Sequence, residues 1–248
     1  MMNINIFDSY NEMSRGTAEF VQDFVGVKPE SILCFPAGDT ATGTFRFLED
    51  ADKKCRNDFK SCIFVGLDEW VGMGKEDEGG CKYFMYKNLF EPLAIEEKKI
   101  VFFDACAKDL SEECKHVDSF LASNGPVDLM LAGIGMNGHI GLNEPGVSFE
   151  LYSHVIELSP ITKNVAQKYF SSERKLEKGI TLGMKHVMQA RTVILIASGA
   201  NKAEIVKKAV EGEITNQVPA SILQKHPNCH VFLDNAAASR LKSQTTGI

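Results

Sequence analysis

One glycine-rich segment of the sequence places a histidine close to a carboxylate. Residues 133–146 read Gly-Ile-Gly-Met-Asn-Gly-His-Ile-Gly-Leu-Asn-Glu-Pro-Gly, so that His139 precedes Glu144 by five positions. Histidine exchanges protons near neutral pH, and a nearby carboxylate can orient its ring. The first six residues also fit G-x-G-x-x-G, but a dinucleotide-binding turn opens a long helix, whereas Asn-Glu-Pro-Gly indicates a loop. The segment therefore predicts an acid–base site rather than a dinucleotide site.

A second segment ends an apolar run with two adjacent carboxylates. Asp68 and Glu69 follow the run at residues 62–67 and precede Trp70, the only tryptophan. Successive side chains of a strand point to opposite faces, so only one of the two can face a given site. A carboxylate against an apolar wall can have its basicity tuned for proton abstraction. The pair is also compatible with an ordinary acidic surface.

Two further segments could bind an anion. Residues 36–44 read Pro-Ala-Gly-Asp-Thr-Ala-Thr-Gly-Thr, and they offer backbone amides, hydroxyls and the start of a helix. The residues assigned to this anion site are Gly38, Asp39, Thr40 and Thr42. The charge of Asp39 would have to point away from the anion. Lys202 stands in a predicted first helical turn, where acidic residues are preferred, and a bound anion would explain it. A capped turn and an exposed lysine are the alternatives.

The elements that position these segments alternate along the chain. Apolar runs predict strands at residues 31–35, 62–67, 127–132, 192–197 and 229–233. Amphipathic stretches predict helices at residues 11–25, 42–51, 83–90, 110–122 and 202–210. The alternation predicts an α/β fold, a three-layer α/β/α sandwich around a doubly wound, mostly parallel, Rossmann-like sheet, in a single domain spanning residues 1–248. Ligands of such sheets bind beyond the carboxyl ends of the strands, where all four segments lie.

Composition and charge exclude several classes of protein. The 27 Lys and Arg against 33 Asp and Glu give a net charge of −6, which argues against the broad basic face of a nucleic-acid binder. No apolar run approaches the roughly 20 residues that span a bilayer. The seven cysteines form no C-x-x-C pair, which favours reduced thiols and no metal site. We therefore expect a cytoplasmic protein with no membrane or nucleic-acid partner.

Together these segments resemble the glucosamine-6-phosphate deaminase/isomerase family, which is related to the 6-phosphogluconolactonases. The matching pieces follow the family order over most of the chain, and residues 138–146, Gly-His-Ile-Gly-Leu-Asn-Glu-Pro-Gly, are highly specific. Asp-Glu-Trp at 68–70, with Gly-Ile-Thr-Leu-Gly at 179–183 and Pro-Ala-Ser at 219–221, looks most like the galactosamine-6-phosphate branch. The lactonase branch would carry an arginine after Asp-Glu and would lack Asn-Glu-Pro.

The resemblance implies a catalytic role for four residues. Asp68 corresponds to the base that moves a proton between C2 and C1 of the open-chain amino sugar. His139 corresponds to the group that assists opening of the pyranose ring, and Glu144 to the carboxylate that orients it. Asn137 stands where many members carry an aspartate, which removes a charge beside His139. We expect either that Glu144 alone supports the imidazole or that ring opening is weaker.

The resemblance also implies how the substrate phosphate is bound. Thr40 and the neighbouring amides correspond to the phosphate loop, and Lys202 is its cationic partner. Lys168 aligns with a phosphate-binding arginine, keeping the charge and losing the bidentate fork. The implied activity is conversion of galactosamine 6-phosphate to tagatose 6-phosphate and ammonia, or of glucosamine 6-phosphate to fructose 6-phosphate, with the sugar phosphate as ligand and without a cofactor.

Other functions stay open at this point. A lactonase would use His139 to activate water, and a non-catalytic sugar-phosphate sensor would need a DNA-binding module. Residues 1–30, which precede the first predicted strand, offer one helix and little basic charge for such a module. The family contains monomers and larger assemblies, so a homo-oligomer is compatible with the resemblance. The segment 150–178 could form a mobile lid with helices around residues 159–170.

Overall fold

The computed structural model describes residues 2–53 and 59–242, and these ranges contain ten strands and eight α-helices. The strands are β1 (Asn3–Phe7), β2 (Ile32–Phe35), β3 (Ile63–Gly66), β4 (Asp68–Trp70), β5 (Ile100–Val101), β6 (Leu129–Gly133), β7 (His154–Glu157), β8 (Lys178–Thr181), β9 (Thr192–Ala197) and β10 (Cys229–Asp234). The helices are α1 (Tyr10–Val27), α2 (Asp39–Asp52), α3 (Cys81–Met85), α4 (Leu110–Asn124), α5 (Pro160–Ala166), α6 (Met184–Gln189), α7 (Ala203–Glu211) and α8 (Asn235–Ala238).

A parallel sheet forms the middle layer, with the strand order β1-β10-β9-β6-β2-β3-β5. Helices α1 and α2 cover one face through Met13, Phe45 and their neighbours. Helices α4, α6, α7 and α8 cover the other face, where Val117 and Val206 are fully buried. All six residues of β9 are buried, because this strand lies in the interior of the sheet with helices on both sides. The predicted three-layer α/β/α sandwich is confirmed.

A small antiparallel sheet stands beside the main one, in the order β4-β8-β7. Leu67 links β3 of the parallel sheet directly to β4, and Asp68 pairs with Thr181 of β8. The chain therefore leaves the carboxyl end of β3 and enters a second sheet that begins with Asp68. The sequence carries little sign of β4, since it has three residues and two of them are carboxylates.

The five predicted strands correspond to β2, β3, β6, β9 and β10, with small shifts at their ends. The first predicted strand is nevertheless the second in the chain, because β1 precedes it and pairs with β10 at the sheet edge. Residues 3–27 are thus a strand and a helix of this fold, where one helix was expected. The predicted helix at 83–90 is divided between α3 and a π-helical turn at residues 86–90.

Two further expectations from the sequence concern membrane spans and the state of the cysteines. Among residues 2–53 and 59–242, no helix has the length and apolar character that a membrane span requires. Six of the seven cysteines lie in the same ranges and none of these six forms a disulfide, whereas Cys55 lies outside them.

Candidate active site

A cavity of about 340 Å³ opens beyond the carboxyl ends of the central strands. Of the ten residues predicted from the sequence, those that line it are Gly38, Asp39, Thr40, Asp68, His139, Lys168 and Lys202. Asn137 and Glu144 lie behind His139 and contact it from outside the cavity wall. Thr42 is not part of the wall. Helix α2 begins at Asp39, three residues before the predicted start, which places Thr42 inside the helix rather than in the turn before it.

Asp68 faces the cavity from the first position of β4 and is only 9% exposed. Burial raises the pKa of its carboxyl group to about 6, against the opposing effects of the His139 charge and a hydrogen bond with Cys81. Such a carboxyl group is largely ionised at neutral pH and is more basic than an exposed aspartate, which suits proton abstraction from carbon.

Glu69 points away from the cavity and is completely buried. Its Oε1 accepts hydrogen bonds from the backbone amides of Trp70 at 2.8 Å and Cys81 at 2.9 Å, and its Oε2 accepts one from the Lys82 amide at 2.6 Å. Burial raises the pKa of Glu69 to about 7, although these amides oppose the rise. The carboxylate holds the start of α3 against β4, so Glu69 fixes the wall that faces Asp68.

His139 is presented by the glycine-rich loop that follows β6. The loop continues into an isolated bridge between Ile140 and Asn143, and no helix follows. The imidazole packs directly on Gly135, where an added Cβ would lie 2.3 Å from Nε2. A side chain at position 135 would therefore displace the ring. Gly138 has a φ of 89°, a backbone conformation that glycine adopts without strain.

A hydrogen-bonded group of polar residues lies behind His139. Asn137 Nδ2 donates to Glu144 Oε2 at 2.7 Å, while Asn137 Oδ1 accepts from the His139 amide at 3.2 Å. Burial tends to raise the pKa of Glu144, but interactions with His139 and Thr162, together with the Ser159 amide, lower it to about 2. Glu144 is therefore ionised throughout the neutral range. Asn137 supplies a donor to it, which an aspartate at this position could not do when ionised.

Ser159 and Thr162 belong to this group and were not expected from the sequence. Ser159 caps α5 by accepting a hydrogen bond from the Thr162 amide at 3.2 Å, and Thr162 Oγ1 lies 3.3 Å from Nδ1 of His139. The Ser-Pro-x-Thr pattern indicates a helix start and gives no sign of a distant histidine. Helix α5 and the 3₁₀ turn at residues 167–169 correspond to the helices predicted around residues 159–170, and they form one wall of the cavity.

The anion-binding part of the cavity lies at the start of α2. Gly38 has a φ of 124°, and the amides of the first turn of α2 follow it, of which the Ala41 amide donates to the Gly38 carbonyl at 3.1 Å. Tyr10, which was also not expected, bridges this turn: its hydroxyl donates to the Asp39 carbonyl at 3.0 Å and accepts from the Gly43 amide at 2.8 Å. The turn is therefore held by a residue of α1.

Two lysines approach the same end of the cavity. Lys202 closes a 3₁₀ turn before α7, one residue earlier than the helical position expected, and its Nζ donates to the Ile134 carbonyl at 2.6 Å. Burial, helped by the charge of Lys168, lowers the pKa of Lys202 to about 8. Lys168 forms an ion pair with Asp39, with 2.6 Å between Nζ and Oδ2. The Asp39 charge is thus directed at a lysine, as an anion site would require.

Comparison with known proteins identifies the family. The model of the glucosamine-6-phosphate isomerases/6-phosphogluconolactonase family matches residues 9–232. The chain belongs to this family. A glucosamine-6-phosphate deaminase of Thermoanaerobacter pseudethanolicus is 35% identical over 244 residues, covering 98% of this chain and 96% of the relative. One of Lachnoclostridium phytofermentans is 40% identical over 225 residues, covering 90% and 95%.

Solved structures of the family agree with this assignment. A monomeric glucosamine-6-phosphate deaminase superposes with a TM-score of 0.93 at 33% identity, covering 96% of this chain and 99% of that one. The 6-phosphogluconolactonase of Trypanosoma brucei, at 19% identity and a TM-score of 0.77, covers 97% and 99% and shares the fold. The chain is an enzyme of the deaminase/isomerase type. The resemblance to the family is confirmed, whereas these relatives lend no support to the galactosamine-6-phosphate branch.

Proposed function

We propose that this enzyme isomerises and deaminates a hexosamine 6-phosphate, giving a ketose 6-phosphate and ammonia. The observation that carries the proposal is the presence in one cavity of Asp68, His139 and an anion-binding end with Lys202. The His139 charge lowers the pKa of Asp68 against the effect of burial, so the two groups act on each other electrostatically. A substrate that spans the cavity would meet an acid–base pair at one end and a phosphate site at the other.

In the proposed mechanism His139 opens the sugar ring. Its Nδ1 faces the polar group behind it, which leaves Nε2 for the substrate. Nε2 accepts the proton of the anomeric hydroxyl and returns a proton to the ring oxygen, so that the C1–O5 bond breaks and C1 becomes an aldehyde carbon. Histidine is suited to both steps near neutral pH.

Asp68 then carries the isomerisation. Its carboxylate removes the proton from C2, and the bonding electrons form a C1–C2 double bond as O1 gains a proton. The resulting enolamine takes the proton back at C1 and loses one from nitrogen, which leaves an imine at C2. Water adds to C2 and ammonia departs, giving the ketose. A general base of this kind contributes about 10²–10⁴-fold to the rate.

The phosphate end would hold the reacting carbons in register. Amides at Gly38–Thr40, the α2 dipole and Lys202 would bind the phosphate, with Lys168 at the cavity mouth. Binding energy from this remote group can be used to orient C1 and C2 against Asp68 and His139. The reaction needs no electron transfer: these side chains move the protons at the ring oxygen, C2 and C1, and water supplies the ketone oxygen as ammonia leaves.

The amino sugar we place first is glucosamine 6-phosphate, because the curated relatives at 35% and 40% identity are glucosamine-6-phosphate deaminases. Galactosamine 6-phosphate, giving tagatose 6-phosphate, is the second candidate, and Trp70 favours it because the Asp-Glu-Trp pattern resembles that branch. Trp70 lines the cavity and donates from Nε1 to the Gly79 carbonyl at 3.3 Å. The two sugars differ only in the orientation of the C4 hydroxyl.

Ammonia release from each of the two sugars tests the proposal. We expect turnover of at least one, and kcat/KM values measured side by side identify the preferred epimer. The N-acetylated sugar phosphate serves as a control, since its amine is blocked and no ammonia can leave. Absence of ammonia from both sugars would refute the proposal. Hydrolysis of 6-phosphogluconolactone above background would then favour a lactonase, and tight binding of a hexosamine 6-phosphate without turnover would favour a sensor.

A further inference from the structure

The polar group behind His139 contains a hydroxyl that lies closer to the imidazole than the carboxylate does. Nδ1 of His139 is 3.3 Å from Thr162 Oγ1 and 3.8 Å from Glu144 Oε2. The longer distance exceeds that of a hydrogen bond, whereas the shorter one is within reach of a weak one. Thr162 lines the cavity and is only 4% exposed. The direct neighbour of the ring is therefore the threonine.

The donors and acceptors around Thr162 can be assigned from their chemistry. Glu144 is ionised and can only accept, and its interaction with the Thr162 side chain helps to keep its pKa low. A hydroxyl has one proton, so a Thr162 hydroxyl that donates to Glu144 must accept from its other neighbours. Ser159 Oγ donates to Thr162 Oγ1 at 3.1 Å, which uses one lone pair. The second lone pair is left for the Nδ1–H of His139.

We propose that Thr162 is a positioning residue that fixes the tautomer of His139. The proton is held on Nδ1 by Thr162, which in turn is held by Glu144 and Ser159. Nε2 then has a free lone pair on the cavity side, as the removal of a proton from a sugar hydroxyl requires. The catalytic consequence rests on the proposed function, whereas the tautomer itself does not.

The position of Thr162 also links the histidine to a cavity wall. Thr162 belongs to α5, and Ile161, Val165 and Ala166 of the same helix line the cavity. Ser159, which caps α5, receives a hydrogen bond from Asn137 Nδ2 at 3.2 Å and donates its amide to Glu144 Oε1 at 3.2 Å. The helix start and the histidine loop are therefore joined by several polar contacts. Displacement of α5 would remove the group that holds the Nδ1 proton.

The test uses ¹⁵N NMR of the imidazole in the substrate-free protein. Six histidines are present, and His139→Gln identifies the signals of residue 139. In the parent protein above neutral pH we expect the Nδ1–H form to predominate. Thr162→Val keeps the shape and removes the hydroxyl, so the two tautomers should become mixed. Thr162→Ser restores the hydroxyl and should restore the parent spectrum.

Kinetics supply a second readout that separates positioning from folding. Thr162→Val should lower kcat about tenfold, as expected for one lost hydrogen bond, with KM little changed and with recovery in Thr162→Ser. Thr17→Val is the matched control, because Thr17 is a buried helical threonine whose hydroxyl donates to the Met13 carbonyl in α1. If Thr162→Val leaves the His139 tautomer unchanged, the proposal is wrong. If instead the tautomer changes as expected and the parent protein releases no ammonia, only the proposed function fails.

Discussion

Nζ of Lys168 lies 2.6 Å from Oδ2 of Asp39, so an ion pair joins the turn after α5 to the first residue of α2 at the cavity mouth. The two side chains are 50% and 68% exposed, which makes this a surface pair of modest strength. The ion pair is important because of its position at the start of α2. Asp39 puts a negative charge at the helix end that is proposed to bind phosphate. It also pairs with Lys168, one of the two lysines near that end.

Asp39→Asn should therefore improve phosphate binding. The substitution removes a like charge and frees Lys168 to approach the substrate, and the partial exposure of both groups limits the gain to about two- to fivefold in KM. The gain should shrink at high salt, because exposed charges are screened. KM and the inhibition constant of inorganic phosphate measure the effect. Asp50→Asn removes the same charge from an exposed position of α2 and serves as the control. A KM that rises would show that the ion pair assists binding instead.

Asp68→Asn should abolish turnover while leaving phosphate binding intact. Asparagine keeps the size of the side chain and cannot accept the C2 proton, so we expect a loss of about 10²–10⁴-fold in kcat. In the parent enzyme kcat/KM should rise with pH through about 6, because the pKa of Asp68 is raised to about 6 and only the ionised form acts as a base. Rate measurements from pH 5 to 8 check the profile. Inhibition by inorganic phosphate that is lost in the variant would contradict this separation of roles.

The same substitution should stabilise the protein at neutral pH. Burial raises the pKa of Asp68 from 3.8 to about 6, so the folded protein holds this proton more tightly than the unfolded chain does. The folded state therefore loses stability as pH rises from about 4 to 6, by about 3 kcal/mol at most. The amide introduced by Asp68→Asn does not ionise, so the variant escapes this loss. Urea unfolding should show a more stable variant at pH 7.5 and a much smaller difference at pH 4.

Asp23→Asn is the matched control for this stability experiment, since Asp23 is exposed on α1. It should change the free energy of unfolding by no more than a few tenths of a kcal/mol at either pH. A difference between parent and Asp68→Asn that is independent of pH would contradict the argument. It would mean that ionisation of Asp68 is not the source of the instability.

The sequence could predict the sheet and most of its cavity-facing residues. Each buried parallel strand is a continuous apolar run, so its end is visible, and ligand-binding residues follow strand ends. Asp68, His139 and Lys202 were found in this way. β1 was missed because Asn-Ile-Asn-Ile-Phe at an edge alternates polar and apolar residues instead of forming a continuous run.

The remaining contacts depend on residues that are far apart in the chain. Thr162 reaches His139 across 23 positions, and Tyr10 reaches Gly43 across 33. Neither residue has a local pattern that names its partner, because a hydroxyl at a helix start is explained by capping or solvent alone. Thr42 was assigned to the anion site because the start of α2 was placed three residues too late. Helix ends are set by such local turns, and Gly38 with a φ of 124° allows the earlier start.

Tyr10→Phe should weaken substrate binding with little effect on kcat. The Tyr10 hydroxyl bridges the Asp39 carbonyl and the Gly43 amide, which an α-helix would pair directly. Without the hydroxyl these two groups can pair with each other, which would tighten the first turn of α2 and shift the amides that are proposed to face the phosphate. The phosphate is remote from C1 and C2, so we expect KM to rise about three- to tenfold. Tyr152→Phe, which removes an exposed hydroxyl bonded to Gln189, should leave KM unchanged. A fall in kcat at constant KM in Tyr10→Phe would place its influence on the chemistry rather than on the phosphate.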